Sequence, residues 1–369
     1  MSDRECRWGI LGAAEIARKN WKAIWNTGNS RLVAVASRST DRAAAYIADC
    51  QRQAAFEPVP QACGSYEELL GRDDIDAVYV PLPTGVRKEW VIRAAESGRH
   101  VLCEKPCAPI AADLRDMIDA CRSNGVQFMD GVMYMHSGRM PRMREVLDDG
   151  ESVGEIKRIT TQFSFRAPDE FFTANIRASA DLEPLGCLGD LGWYTLRFVL
   201  WTMGWQNPTR VHGRLLSSVQ PEDASTPVPT EFSGELFFDG GVSASFYCSF
   251  LTEHQQWAHV SGTKGFLQVS DFVLPNCGGE VSFDVGNATY SMHGCDFVMQ
   301  PGRRTITIPE FSNSFADAQE SNLFRTFADL VLSGKPDPFW ADIALQTQLV
   351  MDACLASSQQ DGAAVAIGE

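Results

Sequence analysis

The sequence predicts an α/β protein in two parts, a parallel doubly wound sheet first and an α+β part with a mainly antiparallel sheet after it. Two observations predict this. Up to residue 134, short apolar strands alternate with helices of roughly a dozen residues, the pattern of βαβ units. After residue 156, strand-like segments follow one another, several with no helix between them. The expected division is 1–130 and 131–369.

In the first part, WGIL (8–11) is a strand and IARKNWKAIWNT (16–27) has helical spacing. RLVAVAS (31–37) is a buried strand, followed by a helix over 41–51. DAVYVPL (76–82) leads to a helix over 86–98, which a glycine ends. HVLCEKP (100–106) is a strand, 111–125 a helix with its own C-terminal glycine, and VQFMDGVMY (126–134) one more strand. Trp21, Trp25 and Trp90 stand at helical spacing and are expected to pack.

In the second part, 156–165, 210–217, 231–238, 242–250, 257–262, 265–272 and 305–309 read as strands. Asp239-Gly240 in FDGGVS marks a hairpin turn. Helices are expected over 189–204, 322–334 and 341–359, and an exposed loop over the polar, proline-rich 218–231. Phe237, Val242, Ala244 and Phe246 are expected to line one sheet face. SGTKGFLQV (261–269) lacks the full phosphate-loop pattern, so Gly262 and Gly265 read as hairpin turn residues.

The 369 residues are 44% hydrophobic and 21% charged, as in a soluble globular protein. A net charge of −15 argues against nucleic acid or anionic membranes as partners, but leaves room for an anionic cofactor in a local patch. No apolar run is long enough to span a bilayer, and MSDRECRWGI has no apolar leader segment, so a cytoplasmic location is expected. Eleven scattered cysteines without a CxxC pair read as free thiols in a reducing compartment. Six histidines form no HxH, HxxxH or HExxH pattern, and no metal site is expected.

A dinucleotide-binding turn reads G-x-G-x-x-G between a strand and a helix. Here the frame gives Gly12, Ala14 and Ala17. Gly12 permits the tight turn, and two added methyls hinder close approach without blocking it. The turn alone fits either a nucleotide site or a plain structural turn. About twenty residues on, an NAD site places an acidic residue on the ribose 2′-hydroxyl. This chain has Ser37-Arg38-Ser39 there, with Arg42 a turn later. A guanidinium at that point suits a 2′-phosphate, hence NADP; the alternative is a solvated surface arginine.

HVLCEKP, taken with WGILGAAEIA (8–17), VASRS (35–39), SYEELL (65–70), YVPLPT (79–84) and GDLGWY (189–194), resembles the glucose–fructose oxidoreductase / inositol dehydrogenase (Gfo/Idh/MocA) family over nearly the whole chain. The closest branch is that of NADP-dependent D-xylose dehydrogenases and trans-1,2-dihydrodiol dehydrogenases. The resemblance implies an N-terminal Rossmann domain, and a C-terminal domain whose open, mainly antiparallel sheet binds substrate and assembles the oligomer. It implies a Lys105–Pro106 bond in cis and Lys105 beside the nicotinamide. Asp190 and Tyr194 match the family's acid and Tyr/His at i and i+4, on one helix face. A homodimer or dimer of dimers is expected, with one sheet face on helix 189–204 and the other on a second subunit.

The residues expected to bind cofactor are Gly12, Ala13, Ala14, Glu15 and Ile16 of the turn, and Ser37, Arg38 and Arg42 after the second strand. Pro81, Leu82, Pro83, Thr84 and Arg87 follow, then Glu104 and Lys105 of EKP. Two departures stand out. Arg87 replaces the family's usual histidine, and MYMHSG (133–138) keeps His136 but has Met135 and Ser137 where arginine and proline are usual.

Oxidising a secondary or anomeric hydroxyl needs a base and a hydride acceptor. NADP supplies the acceptor. A free tyrosine titrates near pH 10, and a nearby ammonium lowers that by stabilising the phenolate. Tyr194 is therefore expected as base with Lys105 as its cation, although the two fall in different domains. Asp190 orients sugar hydroxyls, and His136 and Arg177 hold others. Structural alternatives are a helix cap for Asp190, packing for Tyr194 and His136, a surface position for Lys105, and an ion pair with Asp181 for Arg177. The function expected is oxidation of an aldose such as D-xylose to its lactone. Alternatives are oxidation of a cyclic trans-diol, a redox-assisted glycosidase or lyase that retains NAD, and nucleotide binding without turnover.

Overall fold

The computed structural model describes residues 4–220 and 226–367. In chain order its elements are β1 (Cys6–Leu11), α1 (Glu15–Trp25), β2 (Ser30–Ala36), α2 (Thr40–Gln51), β3 (Gln61–Cys63), α3 (Tyr66–Leu70), β4 (Ala77–Val80), α4 (Thr84–Glu96), β5 (His100–Cys103), α5 (Ala111–Ser123) and β6 (Phe128–Asp130). Then come α6 (Arg139–Asp148), β7 (Ile156–Ser164), α7 (Phe171–Ala174), α8 (Trp193–Thr202), β8 (Arg210–Val219), β9 (Val228–Phe237), β10 (Ser243–Ser249), β11 (Gln255–Gly262) and β12 (Phe266–Val269). The last are β13 (Glu280–Gly286), β14 (Thr289–His293), β15 (Asp296–Gln300), β16 (Arg303–Pro309), α9 (Gln319–Ser333) and α10 (Phe339–Ser358).

The chain divides into two compact units that are not contiguous in sequence. One is Met1–His136 with Ile176–Pro184 and Phe311–Gln348; the other is Ser137–Asn175 with Leu185–Glu310 and Leu349–Glu369. A single cut at 130/131 does not describe this division, because two later segments pack with the first. The physical reason for one of them is apolar. Phe324 and Phe327 of α9 lie against Trp8 of β1, each with ring centroids 5.1 Å apart, and Phe324 also meets Tyr79 at 5.4 Å. Fully burying a ring of this size stabilises by about 1.5–3 kcal/mol, so α9 covers the apolar face of the first sheet.

The first unit's sheet has the order β3-β2-β1-β4-β5-β6, and all its pairings are parallel. The order reverses between β1 and β4, and the carboxyl ends of strands at such a switch point are where doubly wound sheets bind ligands. The alternation of strands and helices is as expected, with two additions. β3 and α3 lie between α2 and β4. Ser65 Oγ accepts from the Glu68 N–H as an N-cap, while Glu68 Oε2 accepts from the Gly64 N–H one residue earlier, a variant of the capping box that the spacing of Ser65 and Glu68 marks in the sequence. The expected strand 126–134 shrinks to β6, followed by a 3₁₀ turn over Met133–His136. Trp21 is buried as expected, but Trp25 is half exposed and ties down Ala55 through its indole N–H.

The second unit's sheet has eight strands in the order β16-β13-β12-β11-β7-β10-β9-β8, and β14–β15 form a separate hairpin. Every neighbouring pair is antiparallel except β7 with β10. The Asp239-Gly240 hairpin joins β9 to β10, with Gly240 at φ 75°. Gly262 and Gly265 close the turn between β11 and β12 through Gly262 N–H to Gly265 O. The buried face carries Phe232, Leu236, Ala244, Phe246 and Cys248. Phe237 is not on it. The strand period of two turns it to the opposite face, where Arg210 and His212 cover its ring. α6, α7, β13, β14 and β15 carry no expectation from the sequence. Of the expected loop 218–231, residues 221–225 lie outside the described residues, and β9 already begins at Val228.

Candidate active site

Gly12 ends β1 at φ +118°, and its N–H donates to Ala36 O. A Cβ there would stand 3.0 Å from Leu82 Cδ2, so the left-handed backbone and the close approach both require glycine. Ala14 precedes α1 in an extended conformation with no side-chain cap on the helix start. The first-turn amides, with Glu15 and Ile16 exposed above them, face outward at the positive end of the helix dipole. Ala13 and Ala14 are half buried, and Ala17 is fully buried, so its methyl is accommodated where the fingerprint has its third glycine. This glycine cradle and uncapped helix fit the pyrophosphate of a dinucleotide.

At the end of β2, Ser37 is buried and Arg38 and Arg42 are exposed. Ser39 caps α2 by accepting from the Arg42 N–H. Among the described residues neither guanidinium has an ion-pair partner. Tyr66 stands beside them. Its burial pushes the hydroxyl's pKa up, and the charges of Arg38 and Arg42 oppose that rise. The Tyr66 hydroxyl also lies 3.8 Å from where a Cβ on Gly12 would be. Tyr66 therefore lies within electrostatic reach of both arginines and close to the glycine turn. In the sequence analysis Tyr66 stands only as part of SYEELL.

The loop Pro81-Leu82-Pro83 leads into α4, and here the helix start is occupied. Thr84 donates its N–H to Glu183 Oε1 at 3.1 Å and its hydroxyl to Oε2 at 2.6 Å. Gly85 N–H donates to Leu182 O, and a Cβ on Gly85 would meet Asp181 O at 1.9 Å. These contacts seat the segment Ile176–Pro184, which carries Arg177, within the first unit. Glu183 and Gly85 had no part in the expected site.

Lys105 follows β5 at the carboxyl edge of the sheet, half buried, and its bond to Pro106 is cis, as the resemblance implies. Glu104, expected among the cofactor contacts, turns its carboxylate into the protein. Its Oε1 accepts from the Tyr79 hydroxyl at 2.5 Å and its Oε2 from the Lys105 N–H at 3.2 Å. Asn20 donates to the Tyr79 hydroxyl at 2.6 Å. Arg87 is likewise spent inside the protein: 2% exposed, it donates to the carbonyls of Leu82, Glu104 and Pro106. This guanidinium, expected among the cofactor contacts, is engaged by three carbonyls and almost closed to solvent.

His136 belongs to the same unit and stacks on Trp340, ring centroids 4.7 Å apart. In the second unit, Asp190 and Tyr194 do not share one regular helix. Asp190 lies inside a π-helical turn over Leu188–Gly192, and Tyr194 lies in the first turn of α8. Asp190 is thus not an N-cap, since Cys187 and Gly192 hold the capping positions. Single π turns recur at functional sites because they re-aim one side chain without ending the helix. Asp190 is half buried; Tyr194 is 6% exposed, with its ring 5.8 Å from Phe163.

The family described as "Oxidoreductase family, NAD-binding Rossmann fold" matches residues 6–132, and the GFO/IDH/MocA C-terminal domain matches residues 140–268. D-xylose 1-dehydrogenase (NADP(+)) 2 of Haloferax volcanii is 34% identical over 278 residues, 75% of this chain and 80% of that protein. Trans-1,2-dihydrobenzene-1,2-diol dehydrogenase of Mus musculus is 31% identical over 274 residues, 73% of this chain and 76% of its own. In fold, the chain is similar to a 3-ketoreductase from Actinomadura kijaniata solved with TDP-benzene and NADP, with a TM-score of 0.77 at 24% identity, covering 96% of this chain and 98% of that one. With a Rossmann unit, an EKP lysine after its fifth strand and these matches, the chain belongs to the Gfo/Idh/MocA family of oxidoreductases.

Proposed function

We propose that this protein is an NADP-dependent dehydrogenase that oxidises an aldose, D-xylose being the model substrate, to its lactone. The observation that carries the oxidoreductase chemistry is Lys105, at the carboxyl edge of a parallel sheet in a loop whose backbone is fixed by Glu104 and Arg87. The unpaired Arg38 and Arg42 beside Tyr66 support a 2′-phosphate, and the similarity to an NADP-dependent D-xylose dehydrogenase supports the same cofactor.

NADP supplies the hydride acceptor. In this proposal Tyr194 takes the hydroxyl proton and Lys105 stabilises the phenolate that does so. Asp190 accepts hydrogen bonds from the sugar, and His136 and Arg177 hold further hydroxyls. Similarity to a trans-dihydrodiol dehydrogenase favours a second substrate class, cyclic trans-diols, which need the same base and acceptor.

The test is a screen of aldoses and trans-diols with NADP and with NAD, followed at the reduced-nicotinamide band. Turnover of an aldose with NADP supports the proposal. Turnover of diols alone replaces the substrate class, and no turnover of either class with either cofactor removes it.

A homodimer or dimer of dimers is part of this proposal. Trp257, His259 and Phe266 stand half exposed on the outer face of the eight-stranded sheet, and β14–β15 exposes Tyr290, Met292, Phe297 and Met299. Sedimentation at micromolar concentration is expected to give at least twice the chain mass, and a clean monomer contradicts it.

A further inference from the structure

We propose that Arg87 is a positioning residue that holds Lys105 in place, an inference that rests on the catalytic role proposed for Lys105. Arg87 lies in the first turn of α4 and is 2% exposed. Its Nη1 donates to Glu104 O at 2.7 Å and also to Pro106 O, the two carbonyls on either side of Lys105. Its Nε donates to Leu82 O at 3.0 Å, joined by Nη2. One guanidinium therefore ties together the loop after β4 and the loop after β5.

One further group completes the frame. The Glu104 carboxylate accepts the Lys105 N–H. Lys105 is thus held by its own N–H and by both flanking carbonyls, while its side chain stays half exposed. Burying a guanidinium with no carboxylate beside it is costly, and the three carbonyls offset that cost by accepting its N–H groups. What the guanidinium adds is a rigid fork of five N–H donors able to serve three carbonyls at once. A histidine at this position has at most two N–H donors and cannot span the same set. Misplacing a reacting group by about an ångström lowers a rate by roughly 10²-fold, so the frame bears directly on turnover.

The experiment compares Arg87→Met, Arg87→Lys, Lys105→Met and the Arg87→Met/Lys105→Met double variant on the substrate from the screen. Arg87→Met is expected to lower kcat by about 10²-fold and to leave KM for NADP within about threefold. Arg87→Lys, whose ammonium still donates to carbonyls, is expected to recover about tenfold of that loss. In the Lys105→Met background the Arg87 change is expected to cost no further kcat, because it acts through Lys105. Without any substrate, amide exchange of the peptide spanning residues 103–110 is expected to quicken at least about tenfold in Arg87→Met and less in Arg87→Lys. If Arg87→Met does not fold, Arg87→Lys alone and with Lys105→Met carries the same comparison.

Wild-type kcat and unchanged exchange in Arg87→Met, beside an impaired Lys105→Met, overturn this proposal alone. An equal loss from Arg87→Met with and without Lys105 present reduces Arg87 to a packing role. Wild-type kcat in Lys105→Met overturns the reading of Lys105, and this proposal with it.

Discussion

Tyr79 donates its hydroxyl proton to Glu104 at 2.5 Å, deep beneath the loop that carries Lys105. Burial, reinforced by the Glu104 charge, pushes the Tyr79 pKa well up, so the phenol stays a donor. Asn20 completes the chain by donating to the same oxygen. Tyr79→Phe leaves a buried carboxylate short of one donor and the Asn20 amide without its acceptor. A hydrogen bond to a charged group contributes about 1.5–3 kcal/mol, and each kcal/mol is worth roughly 2–4 °C in a domain of this size. Thermal melts are therefore expected to show Tyr79→Phe several degrees below wild type. A melting temperature within a degree of wild type would show that the chain contributes nothing to stability.

The proposed function makes Arg38 the residue that sets the cofactor preference. It is exposed at the end of β2, no carboxylate stands at that strand end, and Arg42 reinforces its charge at Tyr66. The protein is expected to prefer NADP to NAD in kcat/KM. Arg38→Ala is expected to weaken NADP far more than NAD, by the roughly 1.5–3 kcal/mol of a charge-assisted contact. Equal or better kcat/KM with NAD in the wild type sinks the assignment.

Tyr194 bears the proton chemistry of the proposed reaction. Tyr194→Phe removes the hydroxyl and keeps the buried ring against Phe163, so folding and NADP binding survive. Loss of a placed general base is expected to lower kcat by roughly 10²–10⁴-fold. The double variant with Lys105→Met is expected to be little worse than either single change, because residues acting as a unit are not additive. Asp190→Asn is expected to be milder and to raise the sugar KM. Near wild-type turnover by Tyr194→Phe makes it a packing residue, and His136 becomes the first candidate base.

His100 gives the fold an acid-sensitive point. The Gln127 N–H donates to His100 Nδ1 at 2.9 Å, which requires that nitrogen unprotonated. Burial lowers the His100 pKa, with the Asp76 charge partly opposing. A folded-state pKa below the unfolded value of about 6.5 means the contribution is full above about pH 6.5. It is lost as pH falls through the folded value. Wild type is expected to lose melting temperature on acidification from pH 6.5 more steeply than His100→Gln, which cannot titrate. Parallel curves would remove His100 as the cause.

The alternation of the first part, the strand-rich second part and the two motifs on which the proposed chemistry rests are all legible in the chain. These are local signals. A period of two or 3.6, a glycine at positive φ or a capping residue acts within a few positions of chain. Gly12 is legible because the turn itself demands it, and Arg38 because it stands a fixed distance past the glycine turn. Even the capping box of Ser65 and Glu68 was there to be read.

Which residues meet is settled by packing between distant segments. Periodicity marks α9 as amphipathic, but does not say that Phe324 covers Trp8 in the first sheet rather than closing the second part. Alternation marks β9 as a strand, but its register assigns Phe237 to the outer face. Nothing near Glu183 in the chain announces that its carboxylate caps α4 at Thr84. Arg87 stands in sequence where a ligand contact is expected, yet it folds inward, because three carbonyls from two loops converge on it. Burial is encoded residue by residue, whereas the partner of a buried group is fixed only when distant segments compete for the same space and the same donors.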